Sequence, residues 1–306
     1  MKKNFNIVIT LVIASVLIAT LSLFMPKDKE KYLRDQFWVK KTFAPSVYDV
    51  VLMGDSRIER GVSPEIMEKI LPGMNVLNFG YSNGGLNPTM YEAAEKKLSK
   101  TGKKKVIILG VTANCITPYT LKNEQFLQVK KLPREDVIER MYLNRILYQF
   151  SATTPEGLWN YFKNEKPATV SINEYYDNGY VKSGRIPIDT MYAIPSYIDD
   201  YTNYKVDEQI IADMVSQIKR WNEKGITVVG FRPPVTVPMK MLEDTMGFYN
   251  ETAISARFNE AGGHWIHLNS TEYKTYDGSH LDLKSAMKLS EVLAHQVSGI
   301  LAQPEK

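Results

Sequence analysis

The sequence predicts an α/β fold built on a five-stranded parallel sheet. Two observations support this prediction. First, short apolar runs rich in valine and isoleucine recur along the 306-residue chain, at residues 49–53, 75–79, 105–111, 226–231 and 265–268. Second, polar loops and longer stretches of helical periodicity alternate with these runs. Strands that alternate with helices are joined by right-handed crossovers and lie parallel in one sheet.

Composition allows one large α/β domain or two small ones, and it excludes several classes of protein. The chain is 44% hydrophobic and 24% charged, which is enough for a sizeable core without covalent cross-links. Cys115 is the single cysteine, so neither an intrachain disulfide nor a cysteine-rich zinc site can form. The net charge is only +4 and no predicted helix concentrates arginines, so we expect no nucleic-acid partner.

An apolar run near the start of the chain predicts a membrane anchor. Residues 7–25 contain no charge over 19 positions, which is long enough to cross a bilayer, and they follow Lys2 and Lys3. A cleaved signal peptide is the alternative, but it needs a shorter apolar stretch and a small-x-small cleavage site, for which SLFMPKDK is a poor match. We expect an uncleaved signal anchor within residues 1–28.

Charges on either side of the apolar run bear on its orientation. Six basic residues between positions 27 and 41 outnumber the two N-terminal lysines, and the positive-inside rule would then place the large domain in the cytoplasm. A very short basic start before an apolar run is, however, the usual form of an export signal. We therefore expect a single-pass membrane protein whose large domain is extracytoplasmic.

The remainder divides into a juxtamembrane spacer, residues 29–47, and a large domain, residues 48–306. Alternation of strands and helices lapses between about residues 116 and 204, which predicts an insertion beside the sheet. It contains a predicted helix at residues 134–150, an apolar stretch around Trp159, and seven tyrosines between positions 175 and 204. Exposed tyrosines would stack on sugar rings or line an acyl groove; alternatively, they cover the sheet edge.

The first strand ends at a candidate nucleophile. Residues 52–60 read LMGDSRIER, so Gly54 permits a sharp turn and Ser56 lies at the sheet edge where open α/β sheets bind ligands. If a helix begins at Arg57, the Ser56 amide also points to the place where an oxyanion would form. This is not a Gly-x-Ser-x-Gly elbow, because position 58 is isoleucine. Taken alone, Gly-Asp-Ser is equally typical of an ordinary capped turn.

An aspartate and a histidine follow the last strand. A serine hydroxyl needs a base, and an imidazole needs a partner that fixes its tautomer. Asp277 and His280 are three positions apart, between strand 265–268 and a predicted helix from about 283 to 301. Ser56, Asp277 and His280 are therefore expected at one edge of the sheet. His264 and His267 would lie on opposite faces of a strand, which argues against a metal pair.

These blocks resemble the SGNH/GDSL hydrolase superfamily, at residues 54–56 (Gly-Asp-Ser) and 277–281 (Asp-Gly-Ser-His-Leu). The resemblance implies a three-layer α/β/α fold with strand order 2-1-3-4-5 and a catalytic triad of Ser56, His280 and Asp277. Residues 78–85 (Asn-Phe-Gly-Tyr-Ser-Asn-Gly-Gly) are similar to the family's Asn-x-Gly-x-Ser-Gly turn. That turn implies an oxyanion donor at the backbone amide of Asn83 or, with a one-residue shift, of Gly84, beside the Ser56 amide.

A third block departs from the family pattern. Residues 110–114 (Gly-Val-Thr-Ala-Asn) replace the family's Gly-x-Asn-Asp after the third strand, with two extra residues and no following aspartate. The family's asparagine side chain completes the oxyanion hole, so Asn114 is the candidate for that role. Losing one such donor costs on the order of 3 kcal/mol of transition-state stabilisation. The mechanism would be weakened but not abolished.

The variant at residues 54–57 (Gly-Asp-Ser-Arg), followed by Gly-Val-Ser-Pro at 61–64, is similar to a membrane-anchored branch of this superfamily. The resemblance implies an esterase or O-acyltransferase that removes or transfers a small, acetyl-like group on a cell-envelope or extracellular polysaccharide. It also implies an acylated polysaccharide as substrate and a membrane-bound O-acyltransferase as a possible partner. Hydrolase and transferase would use the same residues.

Other functions stay open at this point. A non-catalytic, membrane-tethered protein that binds a polysaccharide or an acyltransferase would explain the altered third block, whereas the intact Ser56, Asp277 and His280 favour an enzyme. A long-chain lipase or thioesterase would need an apolar groove that the polar insertion does not offer. Arg57 and Arg232 are candidates for substrate contact, although Arg232 could equally form a salt bridge within its own loop. The chemistry requires no cofactor or metal.

Overall fold

The computed structural model describes residues 2–24, 29–102, 104–144, 146, 159, 162–163 and 169–303. The described helices are α1 Lys2–Phe24, α2 Lys29–Thr42, α3 Ser56–Gly61, α4 Pro64–Ile70, α5 Pro88–Glu95, α6 Glu124–Lys130, α7 Arg134–Ile138, α8 Ile194–Asn203, α9 Glu208–Glu223, α10 Val237–Thr245, α11 Glu251–Glu260 and α12 Leu283–Leu301. The described strands are β1 Val50–Met53, β2 Val76–Asn78, β3 Lys105–Gly110, β4 Val170–Tyr175, β5 Val181–Ile186, β6 Ile226–Phe231 and β7 His264–Ile266.

The chain divides into two compact units. A helical unit comprises residues 1–40 and 132–168, and a sheet unit comprises residues 41–131 and 169–306. Within the helical unit, Gln36 Nε2 donates to the Met141 carbonyl at 3.0 Å and Asn144 Nδ2 donates to the Tyr32 carbonyl at 2.7 Å. These bonds tie α2 to the π-helical turn that continues α7. The end of the predicted helix at 134–150, and most of the apolar stretch around Trp159, lie outside the described residues.

The predicted membrane span falls on α1. A bilayer core takes about 20 consecutive apolar residues in one helix. Of the residues that the structure describes, none form a helix long and apolar enough to cross a membrane. The predicted transmembrane helix at residues 7–25 is therefore not confirmed, and Met25 lies outside the described part of the chain.

The sheet unit contains the predicted five-stranded parallel sheet, in the order β2-β1-β3-β6-β7. All four residues of β1 are buried, as expected for a central parallel strand covered on both faces. The predicted strand order was 2-1-3-4-5, whereas the observed order, with strands numbered along the chain, is 2-1-3-6-7. The fourth and fifth strands of the chain form a separate antiparallel hairpin, so β6 and β7 take the last two places in the sheet.

Helices cover both faces of this sheet. On one face, Leu289 and Leu293 of α12 pack in a buried cluster with Val50 and Leu52 of β1, because alternate strand residues point to the same side. On the other face, α9 packs against β6, and its buried Trp221 meets Tyr91 of α5 at a ring distance of 5.4 Å. This packing fixes the carboxyl ends of the strands along one edge.

The tyrosine-rich insertion is only partly described. Its sheet-unit part contains two short 3-10 turns (Asn114–Ile116 and Pro118–Lys122), α6, the β4-β5 hairpin and α8. Tyr197 and Tyr201 of α8 are buried, whereas Tyr192 is 55% exposed. The tyrosines therefore do not act as one exposed surface: some are core residues and others are open to solvent.

Candidate active site

The turn after β1 places Ser56 at the start of α3. Gly54 has φ +150°, and a Cβ there would lie 2.5 Å from Ile58 Cγ1 and 2.9 Å from the Gly110 carbonyl, so only glycine fits. Asp55 is buried and caps α3: its Oδ1 accepts the Arg57 N–H at 2.9 Å. Its Oδ2 accepts the Thr112 hydroxyl at 2.5 Å, which fastens the loop after β3 to this turn. Ser56 itself is half-buried.

The segment after β7 brings Asp277 and His280 to the same edge. His280 Nε2 lies 2.8 Å from Ser56 Oγ, and His280 Nδ1 lies 2.7 Å from Asp277 Oδ2. The other oxygen, Asp277 Oδ1, accepts the backbone N–H groups of Ser279 and His280 at 2.9 and 2.7 Å. With the Asp277 carboxylate held this way, His280 Nδ1 donates to it and His280 Nε2 is left to accept from Ser56.

Electrostatics keep the aspartate charged and the histidine neutral. Burial raises the pKa of Asp277, but its hydrogen bonds with His280, the charge of His280 and the Ser279 N–H together lower that pKa to about 2. Burial, followed by the positive charges of Arg60 and Arg57, lowers the pKa of His280 below its ordinary 6.5, although Asp277 opposes them. At neutral pH, His280 can therefore accept a proton.

The loop that carries these two residues is braced on several sides. Gly278 has φ +95°, and a Cβ there would lie 2.3 Å from the Thr190 carbonyl. Thr236 donates its hydroxyl to the Gly278 carbonyl at 3.1 Å, and the Ala193 N–H donates to the Asp277 carbonyl at 3.0 Å. The His280 ring position is therefore set by segments far apart in sequence.

The turn after β2 supplies a possible oxyanion donor. Asn83 has φ +53°, a left-handed conformation that suits the glycine of the resembled motif. The Gly84 N–H donates to the Tyr81 carbonyl at 2.7 Å, which favours Asn83 over Gly84 as the oxyanion donor. Among the described residues, the backbone N–H groups of Ser56 and Asn83 have no hydrogen-bond acceptor.

Two buried side chains hold this turn against α3. Asn78 Nδ2 donates to the carbonyls of Ile58 and Val62, both at 2.7 Å, and its Oδ1 accepts the Gly80 N–H at 3.0 Å. Glu59 Oε2 accepts the Ser82 N–H at 3.0 Å. These bonds connect α3 to the turn that carries Asn83.

Asn114 lies in the 3-10 turn after β3 and is 5% exposed. Its carbonyl accepts the Thr117 and Thr120 hydroxyls, whereas its carboxamide makes no hydrogen bond within the described part of the chain. Nearby, the Thr112 hydroxyl that donates to Asp55 also accepts the Cys115 N–H at 3.0 Å. The third block is thus tied to the turn that carries Ser56, and the oxyanion role of Asn114 stays a prediction.

The two arginines expected to contact substrate are buried ion-pair partners instead. Arg57 Nη1 lies 2.5 Å from Glu243 Oε1, and Arg232 Nη2 lies 2.7 Å from Glu243 Oε2. The side chains of Arg57 and Arg232 are 2% and 4% exposed, and that of Glu243 is inaccessible. Substrate contact by Arg57 or Arg232 is therefore not confirmed, since their charges are neutralised within the protein.

Sequence reasoning missed Glu243 and Ser279, which link this ion cluster to the histidine loop. Arg57 Nε donates to Ser279 Oγ at 3.0 Å, and the Tyr197 hydroxyl lies 3.0 Å from the same oxygen. One local signal was available: Met239 and Glu243 are four positions apart on α10, so they share its buried face. The partners of Glu243 on that face could not be read from the sequence, because they come from distant segments.

A metal site finds no support in the described residues. They contain no group of three or more histidine, cysteine, aspartate or glutamate side chains placed to hold an ion. His267 is 69% exposed, and its Nδ1 lies 3.8 Å from Glu251 Oε1.

Fold and site together define an α/β protein with a serine, a histidine and an aspartate in hydrogen-bonded series.

Comparisons with known proteins add little to this geometry. No protein-family model matches the chain, and no curated protein matches it. Structural matches include a carbohydrate acetylesterase from Sinorhizobium meliloti, with a TM-score of 0.37 and 11% identity over 82% of this chain and 98% of that one. Another, described as a platelet activating factor from Streptococcus pneumonia, has a TM-score of 0.35 and 13% identity over 94% and 99%. Scores this low carry no conclusion about activity.

Proposed function

We propose that the protein is a serine-dependent acyl-transfer enzyme of the SGNH/GDSL type that cleaves an ester of a small acyl group. The observation that carries this proposal is the unbroken series from Ser56 Oγ through the His280 ring to Asp277, with contacts of 2.8 and 2.7 Å. This is the geometry that activates a serine hydroxyl at neutral pH.

The proposed reaction has two halves. Ser56 Oγ bonds to the ester carbonyl carbon while its proton passes to His280 Nε2, and the N–H groups of Ser56 and Asn83 stabilise the oxyanion. The bond to the leaving alcohol then breaks as His280 returns the proton to it, which leaves the acyl group on Ser56. Water or a sugar hydroxyl then attacks the acyl carbon and gives its proton to His280 Nε2. The bond from that carbon to Ser56 Oγ breaks, and His280 returns the proton to Ser56 Oγ. Asp277 stabilises the imidazolium in both halves.

The finer identity of the substrate rests on the sequence resemblance. It supports an acetyl-like group on a cell-envelope or extracellular polysaccharide, with hydrolysis and O-acyl transfer as the two outcomes of the second half-reaction. A membrane-bound O-acyltransferase partner and an extracytoplasmic location are further proposals that also rest on the sequence alone. No observation in the structure favours a non-catalytic binding protein over the enzyme.

The direct test is turnover of 4-nitrophenyl acetate by the purified full-length chain. Acetate release well above the buffer rate is expected, with 4-nitrophenyl octanoate turned over more slowly. A folded protein that releases nitrophenolate from neither ester would argue against the proposal.

The pH dependence of kcat/KM follows from the state of His280. We expect a rate that falls at acid pH with an apparent pKa below 6.5, because burial and two arginines lower the pKa of His280 and protonation removes its basicity. The rate should level off as the pH rises above the apparent pKa of His280. Steady-state kinetics between pH 4.5 and 9, with circular dichroism at each pH to exclude unfolding, would check this. An acid limb centred above pH 7 would contradict it.

Glu243→Gln is expected to destabilise the sheet unit by about 3–5 kcal/mol. The change leaves the buried Arg57 without a countercharge, since Glu243 is its ion-pair partner. Urea unfolding of the variant beside the wild type measures the difference. Glu260→Gln, at an exposed position at the end of α11, is the matched control and should cost less than about 0.5 kcal/mol. Equal stability of both variants would show that the buried ion cluster contributes nothing.

A further inference from the structure

A small polar cavity lies beside the turn that carries Asn83. Its volume is about 150 Å³, and Ser82 and Asn83 of that turn form one wall. The opposite wall comes from the second 3-10 turn and α6, with Tyr119, Lys122, Gln125 and Gln128. None of the described residues that line it is an aliphatic apolar residue.

This cavity shares Asn83 with the proposed oxyanion site. The Tyr81 N–H donates to the Gly54 carbonyl at 3.0 Å, so the Asn83 turn rests directly on the turn that carries Ser56. At the far side of the turn, Asn123 Oδ1 accepts the Gly85 N–H at 2.9 Å and joins the turn to the cavity wall. A group bound in the cavity would therefore sit next to an ester held at Ser56.

Three carboxamides face this space without protein partners. Asn83, Gln125 and Gln128 make no hydrogen bond through their side chains within the described residues; Gln125 is half-buried, and Asn83 and Gln128 are exposed. Each carboxamide offers two N–H donors and one carbonyl acceptor. Asn83 and Asn123 also hold left-handed φ values of +53° and +43°, and such strain in non-glycine residues clusters at binding sites.

The chemistry of the lining selects one class of ligand. An acyl chain would find no aliphatic surface, and an anion would meet Glu124 as well as the single cation, Lys122. Lys122 Nζ lies 5.8 Å from the centre of the Tyr119 ring, which is half-buried and lies 5.2 Å from the Tyr204 ring. The side-chain amides can donate hydrogen bonds to hydroxyl groups and accept them from hydroxyl groups. An aromatic ring can pack against C–H groups. Both contacts suit a sugar ring, which has hydroxyls at its edge and C–H groups on its faces.

We propose that this cavity is a subsite for an uncharged sugar ring that carries the ester, bound through Gln125 and Gln128. The proposal rests on the proposed function, because it places the sugar next to an ester cleaved by Ser56. Binding there orients the acylated hydroxyl toward the nucleophile and makes carbohydrate esters better substrates than simple esters of the same acyl group.

The test compares two acetyl esters on the full-length chain, 6-O-acetylglucose and 4-nitrophenyl acetate. The variant is the double substitution Gln125→Ala and Gln128→Ala, and acetate release is measured for both esters. We expect the ratio of kcat/KM for the sugar ester to that for the aryl ester to fall about tenfold, mainly through KM, as two neutral hydrogen bonds are lost. Gln209→Ala, at an exposed glutamine on α9, is the control and should leave the ratio unchanged.

The outcomes separate this inference from the proposed function. A fall in the ratio for the double variant alone supports the sugar subsite. An unchanged ratio, or a wild type that turns over the aryl ester but not 6-O-acetylglucose, overturns the subsite and leaves the esterase standing. A wild type that turns over neither ester overturns both.

Discussion

Replacing Ser56 by alanine should reduce kcat for 4-nitrophenyl acetate by about 10⁶-fold. The substitution removes the oxygen that bonds to the acyl carbon, and His280 then has no hydroxyl to activate. The Ser56 hydroxyl bonds to the His280 side chain and not to the backbone, so we expect the protein to fold without it. Steady-state kinetics and the thermal unfolding midpoint of the same sample would give both readouts.

Ser298→Ala is the matched control for this experiment. Ser298 is an exposed serine near the end of α12, and its loss should change neither kcat nor the unfolding midpoint measurably. A Ser56→Ala protein that keeps more than a tenth of the wild-type rate would exclude Ser56 as the nucleophile.

Asp277→Asn should lower kcat by about 10⁴-fold with little change in KM, the magnitude known for the corresponding change in serine proteases. An asparagine amide in this place would donate to His280 Nδ1, so the ring proton would move to Nε2. The imidazole could then no longer accept the proton of Ser56, which lies 2.8 Å from Nε2. The imidazolium would also lose the adjacent negative charge that stabilises it.

Asp207→Asn tests whether such a loss is specific. Asp207 caps α9 by accepting two backbone N–H groups, and asparagine caps a helix about as well as aspartate. Both variants therefore replace a carboxylate by a carboxamide, but only Asp277→Asn should lose activity. A folded Asp277→Asn enzyme with kcat within threefold of the wild type would remove Asp277 from the mechanism.

The sequence was sufficient to predict the sheet strands and the residues that follow them, because local patterns determine both. Central parallel strands are buried on both faces, so the residues that become β1, β3 and β6 form nearly continuous apolar runs. The carboxyl ends of parallel strands share one edge, so a serine after the first strand and an Asp-x-x-His after the last were expected together. The structure brings these side chains within hydrogen-bonding distance.

Features that depend on distant partners could not be predicted. The sequence offers Asn83 and Gly84 as alternative donors, and what favours Asn83 is the hydrogen bond from the Gly84 N–H to the Tyr81 carbonyl. Arg57 and Arg232 were predicted as substrate ligands because Glu243, the ion-pair partner of both, lies on a helix whose packing the sequence does not specify. The β4-β5 hairpin was hidden for a different reason: its strands are partly exposed and lack the apolar runs used to recognise sheet strands.

Labelling by a fluorophosphonate tests the central claim, that Ser56 is an activated nucleophile, without any assumption about the substrate. The wild-type chain, followed by intact-mass spectrometry, should gain one phosphonyl adduct that peptide mapping assigns to Ser56, whereas Ser56→Ala gains none. A folded wild-type protein that gains no adduct, or gains it at another residue, would contradict the account.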